Sequence, residues 1–176
     1  MEDAVKMPLS SLKVLELNRK YNLIEGLCER ESKNPEGIEL EMRVGEVHRL
    51  KGKGFLGVDD RKTPETELVA VYENDLKKSV VMKPGEYYLV KTMEKVNVPK
   101  EKILIEKGMP PRYLMPIVYP RSTLHRDAIT LHCTTTNPGY SGELVFGLYN
   151  AGKEDFEFEL GSRMFKIVFE PVIGEI

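Results

Sequence analysis

Arg121 and Arg126 bracket two hydroxyl side chains, Ser122 and Thr123, in the run Tyr119-Pro-Arg-Ser-Thr-Leu-His-Arg-Asp127. A guanidinium offers a planar fork of N–H donors that matches the oxygens of a phosphate, and neighbouring hydroxyls supply further donors. The grouping therefore fits a phosphate site, and it fits equally a basic surface turn. Further on, Asn137-Pro-Gly-Tyr140 makes a sharp turn ahead of the apolar run Leu144-Val-Phe-Gly-Leu-Tyr-Asn150. Two titratable groups, His125 and Asp127, flank Arg126 and are the nearby candidates for moving a proton. His132 beside Cys133 lacks the further ligands that a zinc centre needs. Gly52-Lys-Gly54 is not followed by a helix-like segment, so it reads as a hairpin loop and not as a phosphate cradle.

These residues sit in a chain of 176 residues and 20.1 kDa, a length that suits one domain, 1–176, with a sizeable core. The net charge of -2 argues against a nucleic-acid partner, which needs a basic face, but a single triphosphate takes only a few local cations. No apolar run approaches the ~18 residues of a membrane span. Met1-Glu-Asp-Ala-Val-Lys6 lacks the basic-then-apolar order of a signal peptide, so a cytoplasmic protein is expected. Cys28 and Cys133 are far apart and read as buried or partly buried free thiols.

The elements that must position the site are mostly strands. Pro8–Leu27 has the pattern of a helix, capped at Ser10 or Ser11, with Leu12 and Leu15 on one face and Gly26 as its stop. Ile38-Glu-Leu-Glu-Met-Arg-Val44 alternates strictly, which predicts a half-buried strand with Ile38, Leu40, Met42 and Val44 inward. Short β-like runs follow at 68–72, 80–82, 87–92, 103–105, 117–119, 156–160 and 164–169, with turn signals between them. Lys83-Pro-Gly-Glu86 carries proline and glycine where a type II turn wants them. The pattern is that of a sandwich or barrel with a short N-terminal helix.

Several landmarks now fall in one order. They are Pro35-Glu-Gly-Ile-Glu-Leu-Glu-Met-Arg-Val-Gly45, Lys83-Pro-Gly-Glu-Tyr-Tyr-Leu-Val-Lys-Thr92, Pro120-Arg-Ser-Thr-Leu-His-Arg126, Asn137-Pro-Gly-Tyr-Ser-Gly142, Tyr149-Asn150 and Phe169-Glu-Pro171. Taken together they resemble the dCTP deaminase branch of the trimeric dUTPase superfamily, from about Leu9 to Val172. The resemblance implies a distorted β-barrel or jelly roll, assembled as a homotrimer with active sites between subunits. It implies a deoxynucleoside triphosphate ligand, dCTP or dUTP among the candidates, with Mg²⁺ on the phosphates and no zinc. The reactions it implies are deamination of cytosine, cleavage of dUTP to dUMP and pyrophosphate, or both. By the same resemblance Arg121 and Thr123 meet phosphate, and Ser122 positions a water or a phosphate oxygen. Arg126 orients the reacting end, Asn137 belongs to the nucleotide site, and Tyr140 lies against the deoxyribose.

The chain also departs from that pattern. The glutamate that moves the proton in deamination falls at Gly147, within Phe146-Gly-Leu-Tyr-Asn150. The aspartate before the Pro-Gly pair is Asn137, an amide that cannot accept a proton from water. Pro120 stands at a glycine position, and the run from His132 to Asn137 is about two residues short. The basic, tyrosine-bearing tail of many relatives has no counterpart between Pro171 and Ile176. The resemblance still implies a site able to accommodate carboxylates at 137 and 147. Two expectations therefore stand side by side, a hydrolase working through another base and a nucleotide-binding or structural trimer whose catalysis has lapsed.

Overall fold

The computed structural model describes residues 8–74 and 76–176. Its helices are α1 (Ser11–Tyr21), α2 (Glu29–Lys33) and α3 (Ser122–Arg126). Its strands are β1 (Ile24–Glu25), β2 (Leu40–Lys51), β3 (Phe55–Leu56), β4 (Arg61–Lys62), β5 (Glu65–Val71), β6 (Ser79–Met82) and β7 (Tyr87–Asn97). They continue as β8 (Tyr113–Pro120), β9 (Ile129–His132), β10 (Ser141–Asn150), β11 (Phe156–Glu159) and β12 (Arg163–Val172). The signal-peptide reading of Met1–Lys6 lies outside the described residues. No helix among the described residues is long and apolar enough to cross a membrane.

The main sheet runs β8-β12-β2-β7-β10-β9 with every pairing antiparallel, β1 added on β7 and β5 on β2. Its outer strands β8 and β9 return to contact one another, so the mostly β chain forms a nearly closed barrel. β7 shows why: its residues alternate half-buried and buried along the whole strand, with Tyr88, Val90, Val96 and the polar Thr92 and Glu94 inward. Phe165, Ile167 and Phe169 from β12, Leu40 and Met42 from β2, and Leu148 from β10 fill the interior. Each such side chain contributes roughly 1.5–3 kcal/mol on burial.

Several boundaries differ from the sequence pattern, each for a local reason. α1 stops at Tyr21 because Asn22 takes the left-handed conformation with φ 51° and its N–H donates to the carbonyl of Asn18. The stop is therefore Asn22, and Gly26 lies in the turn after β1. The buried face of α1 is Ser11, Val14, Leu15 and Leu17, while Leu12 is 68% exposed. β2 begins at Leu40, leaving Ile38 exposed, and Glu41 is buried by ion pairs. No strand forms at 103–105, where Ile103 makes a single bridge to Arg112. β8 runs through Pro116 because, among the described residues, it is laddered to β12 alone, and a missing N–H is tolerated on an unladdered edge. The type II turn is borne out, with Gly85 at φ 80° and the Glu86 N–H donating to the Lys83 carbonyl at 3.0 Å. Both cysteines are free thiols, and Cys133 is exposed.

Candidate functional site

The chain from 121 to 126 is a single helical turn lying between the barrel's two outer strands, β8 before it and β9 after it. Buried Leu124 anchors it, and the Arg121 N–H donates to the Met164 carbonyl of β12 at 3.1 Å. Ser122, Thr123, His125 and Arg126 are exposed. The turn separates the two cations. Arg121 and Thr123 line a cavity of about 370 Å³ with Ser162 and Arg163, and Arg126 lines a neighbouring one of about 490 Å³ with Lys153. The cavities share Asp127, Phe156 and Glu157.

Arg121 is held from behind. Its Nε lies 3.0 Å from Glu41 Oε1, and its Nη1 donates to the Arg163 carbonyl at 3.2 Å. Arg163 Nη1 is 2.6 Å from Glu41 Oε2 and 3.1 Å from Glu31 Oε1, and Arg30 Nη1 is 2.6 Å from Glu31 Oε1. The contact between Arg163 and Glu41 Oε2 lacks hydrogen-bond alignment, so it is ionic. The Glu41 N–H donates to Glu31 Oε2 at 3.0 Å. Two buried carboxylates thus organise three arginines from α2, β12 and the start of α3. Buried charges persist only when paired in this way. The far edge of the Arg121 guanidinium keeps donors for a ligand.

The turn before β10 is built separately. Gly139 has φ 91°, and its N–H donates to the Val98 carbonyl, whose own residue returns a bond to Tyr140. Tyr140 folds over Gly142, and its hydroxyl donates to the Glu143 carbonyl at 2.7 Å, which fixes the ring at the surface. Burial, with the Glu143 charge adding to it, pushes the Tyr140 phenol up. Asn137 is exposed, and its carbonyl accepts the Tyr140 N–H.

Within one chain these two halves stand apart. Tyr140 precedes the first residue of β10, whereas β9, just after α3, pairs with Gly147 to Asn150 at the other end. Nine strand steps separate Ser141 from Asn150, which is roughly 30 Å. Asn137, Tyr140 and Gly147 line neither cavity beside α3.

Gly147 is buried and covered by another side chain. A Cβ placed there would lie 1.8 Å from the Tyr87 hydroxyl, 2.6 Å from its Cζ and 3.1 Å from His132 Cβ. Tyr87 sits opposite Tyr149 across β7 and β10 and leans diagonally over Gly147, which itself faces Leu89 and His132. The tip of the Tyr87 ring takes the room for a side chain at 147, so a carboxylate enters there only when that ring moves. This corrects the expectation that the site accommodates a carboxylate there. Tyr87, Glu41 and Arg163 contact the candidate residues Gly147 and Arg121, and no spacing in the sequence marks them. Only the inward and outward alternation of β7 hints that Tyr87 and Leu89 share a face.

The fold is that of the dUTPase-like β proteins, with a helical turn carrying cations and hydroxyls between the outer strands. Over 94% of this chain it superposes on 49% of the dCTP deaminase of Agrobacterium tumefaciens, with a TM-score of 0.64 at 15% identity. The chain thus spans about half the length of that structure. The family model for dCTP deaminase-like proteins matches residues 17–172, and the chain belongs to that family. It is 30% identical over 142 residues to a probable deoxyuridine 5'-triphosphate nucleotidohydrolase of Methanothermobacter thermautotrophicus, covering 80% of each protein. To a dCTP deaminase of Pyrococcus horikoshii it is 32% identical over 151 residues, covering 86% of this chain and 76% of that one.

Proposed function

We propose that this protein binds a deoxynucleoside triphosphate and does not deaminate it. The observation that carries the second half is Gly147 itself, which supplies no carboxylate where the resemblance puts the proton-moving group and has the Tyr87 ring lying over it. Binding is supported by the exposed row Ser122, Thr123 and Arg126 with Arg121 braced behind it, in a chain of the dCTP deaminase-like family. The separation of α3 from the Tyr140 turn supports a site completed by a second copy, as in a homotrimer. Arg121, Ser122 and Thr123 take phosphate oxygens from one copy, and Asn137 and Tyr140 take the sugar from another. Mg²⁺ enters with the triphosphate, as the family resemblance implies.

A second reading has one observation in its favour. Asp127 lines both cavities beside α3 and is a carboxylate within one residue of Arg126. As a general base it would activate water at phosphorus and release pyrophosphate.

Calorimetry with dCTP, dUTP and the matching deoxynucleosides tests the binding claim. Arg121→Ala is expected to weaken triphosphate binding roughly 10- to 100-fold, from about 1.5–3 kcal/mol for charge-assisted hydrogen bonds, and to leave nucleoside binding unchanged. Equal losses for both ligand types would remove the phosphate role.

A further inference from the structure

The ring of Tyr87 has a structural use, since an aromatic leaning across a strand pair covers the bare backbone of a glycine. Its hydroxyl has none: among the described residues it makes no hydrogen bond, although it sits half-buried beside the exposed His132, with ring centroids 5.6 Å apart. A phenol can donate one hydrogen bond and accept others, and an imidazole offers a nitrogen of each kind. The two therefore make a short donor and acceptor pair on the outer face of β7, β10 and β9, next to a position with no side chain of its own.

We infer that the Tyr87 hydroxyl, with His132 beside it, reads the polar edge of a bound pyrimidine deoxynucleotide, in the place that a side chain at 147 would otherwise occupy. The inference rests on the reading of this chain as a deoxynucleotide-binding protein. A hydroxyl that both donates and accepts suits either a carbonyl or an amino substituent on the ring, so it serves dUTP and dCTP alike. A site built on such bonds loses affinity when one partner is deleted, because the ligand's polar group is then left unpaired.

Tyr87→Phe separates the two uses of the side chain, since it keeps the ring over Gly147 and removes only the oxygen. The experiment measures binding of dCTP, dUTP and inorganic tripolyphosphate to wild type and variant, with thermal unfolding of both. The expected result is a loss of about tenfold for dCTP and dUTP, with tripolyphosphate affinity and unfolding temperature unchanged. His132→Asn, exposed and remote from the interior, is expected to shift the ratio of dCTP to dUTP affinity. Unchanged affinities in both variants would overturn the inference while leaving nucleotide binding intact. A wild type that binds tripolyphosphate as tightly as the nucleotides would also overturn it. Failure of the wild type to bind any of the three would remove the nucleotide reading itself, and the inference with it.

Discussion

Gly147→Glu is expected to destabilise the protein by about 1–3 kcal/mol and not to confer deamination of dCTP. The first Cβ already lies 1.8 Å from the Tyr87 hydroxyl, so the ring must swing out before any carboxylate can enter. Overpacking of this kind costs about 1–3 kcal/mol, and more where backbone must shift. Here the neighbours on both flanks are paired strands, with Leu89 on β7 and His132 on β9 opposite the glycine, so relaxation falls to the Tyr87 ring. Gly147→Glu combined with Tyr87→Ala is expected to recover at least half of the loss. Chemical denaturation of wild type and of the single and double variants reads this directly. A single variant as stable as wild type would mean that Tyr87 moves aside freely and that the site is open to a carboxylate after all.

Arg43→Met lowers stability further, by about 3–5 kcal/mol, because it strands a buried charge. Glu94 is fully buried; its Oε2 accepts the Arg43 N–H and its Oε1 the Arg43 Nε–H, both at 2.7 Å. Arg43 Nη2 also donates to the Gly26 carbonyl at 2.6 Å, which ties the turn after β1 to β2. Burial pushes the Glu94 carboxyl above its ordinary value even against these bonds. The native state therefore binds the proton more tightly than the unfolded chain. The Glu94 contribution to stability accordingly falls as pH rises from the ordinary glutamate range through the folded value. Without Arg43 the carboxyl rises further still. The deficit of Arg43→Met is thus expected to be largest at neutral pH and to narrow on acidification, as a protonated Glu94 needs no counter-charge. Glu46 runs the other way: burial opposes its charge, but bonds from Lys91 and His48 outweigh that and hold its carboxyl below the ordinary value. Its stabilising contribution is lost only as pH falls through that lowered value. A deficit that widened in acid would show that Glu94 is not the stranded group.

Much of the fold is legible because its rules are local. The alternation of β2 and β7, the proline and glycine of the Lys83 turn and the cap at Ser10 all act within a few residues. What the pattern hides depends on partners distant in the chain. Glu41 alternates like an outward residue, yet it is buried by Arg121 and Arg163, which lie at the start of α3 and on β12. The five residues of α3 are too few for a helical period to show, and Leu124 alone anchors them. The grouping of cations and hydroxyls from Arg121 to Arg126 is legible from their types and spacing. That Arg121 and Arg126 face different cavities is not, because the turn between them decides it. Gly147 was visible as a missing acid, but the phenol that fills its place comes from β7, sixty residues earlier in the chain.

The fate of a bound nucleotide tests binding and deamination together. With protein in excess over labelled dCTP and Mg²⁺, the bound fraction is collected by rapid filtration and its nucleotide separated by chromatography. The expected result is retained dCTP, recovered unchanged. Recovery as dUTP or dUMP would contradict this reading, and so would dCTP that passes through unbound, whereas dCMP with pyrophosphate released is the outcome that the Asp127 reading predicts.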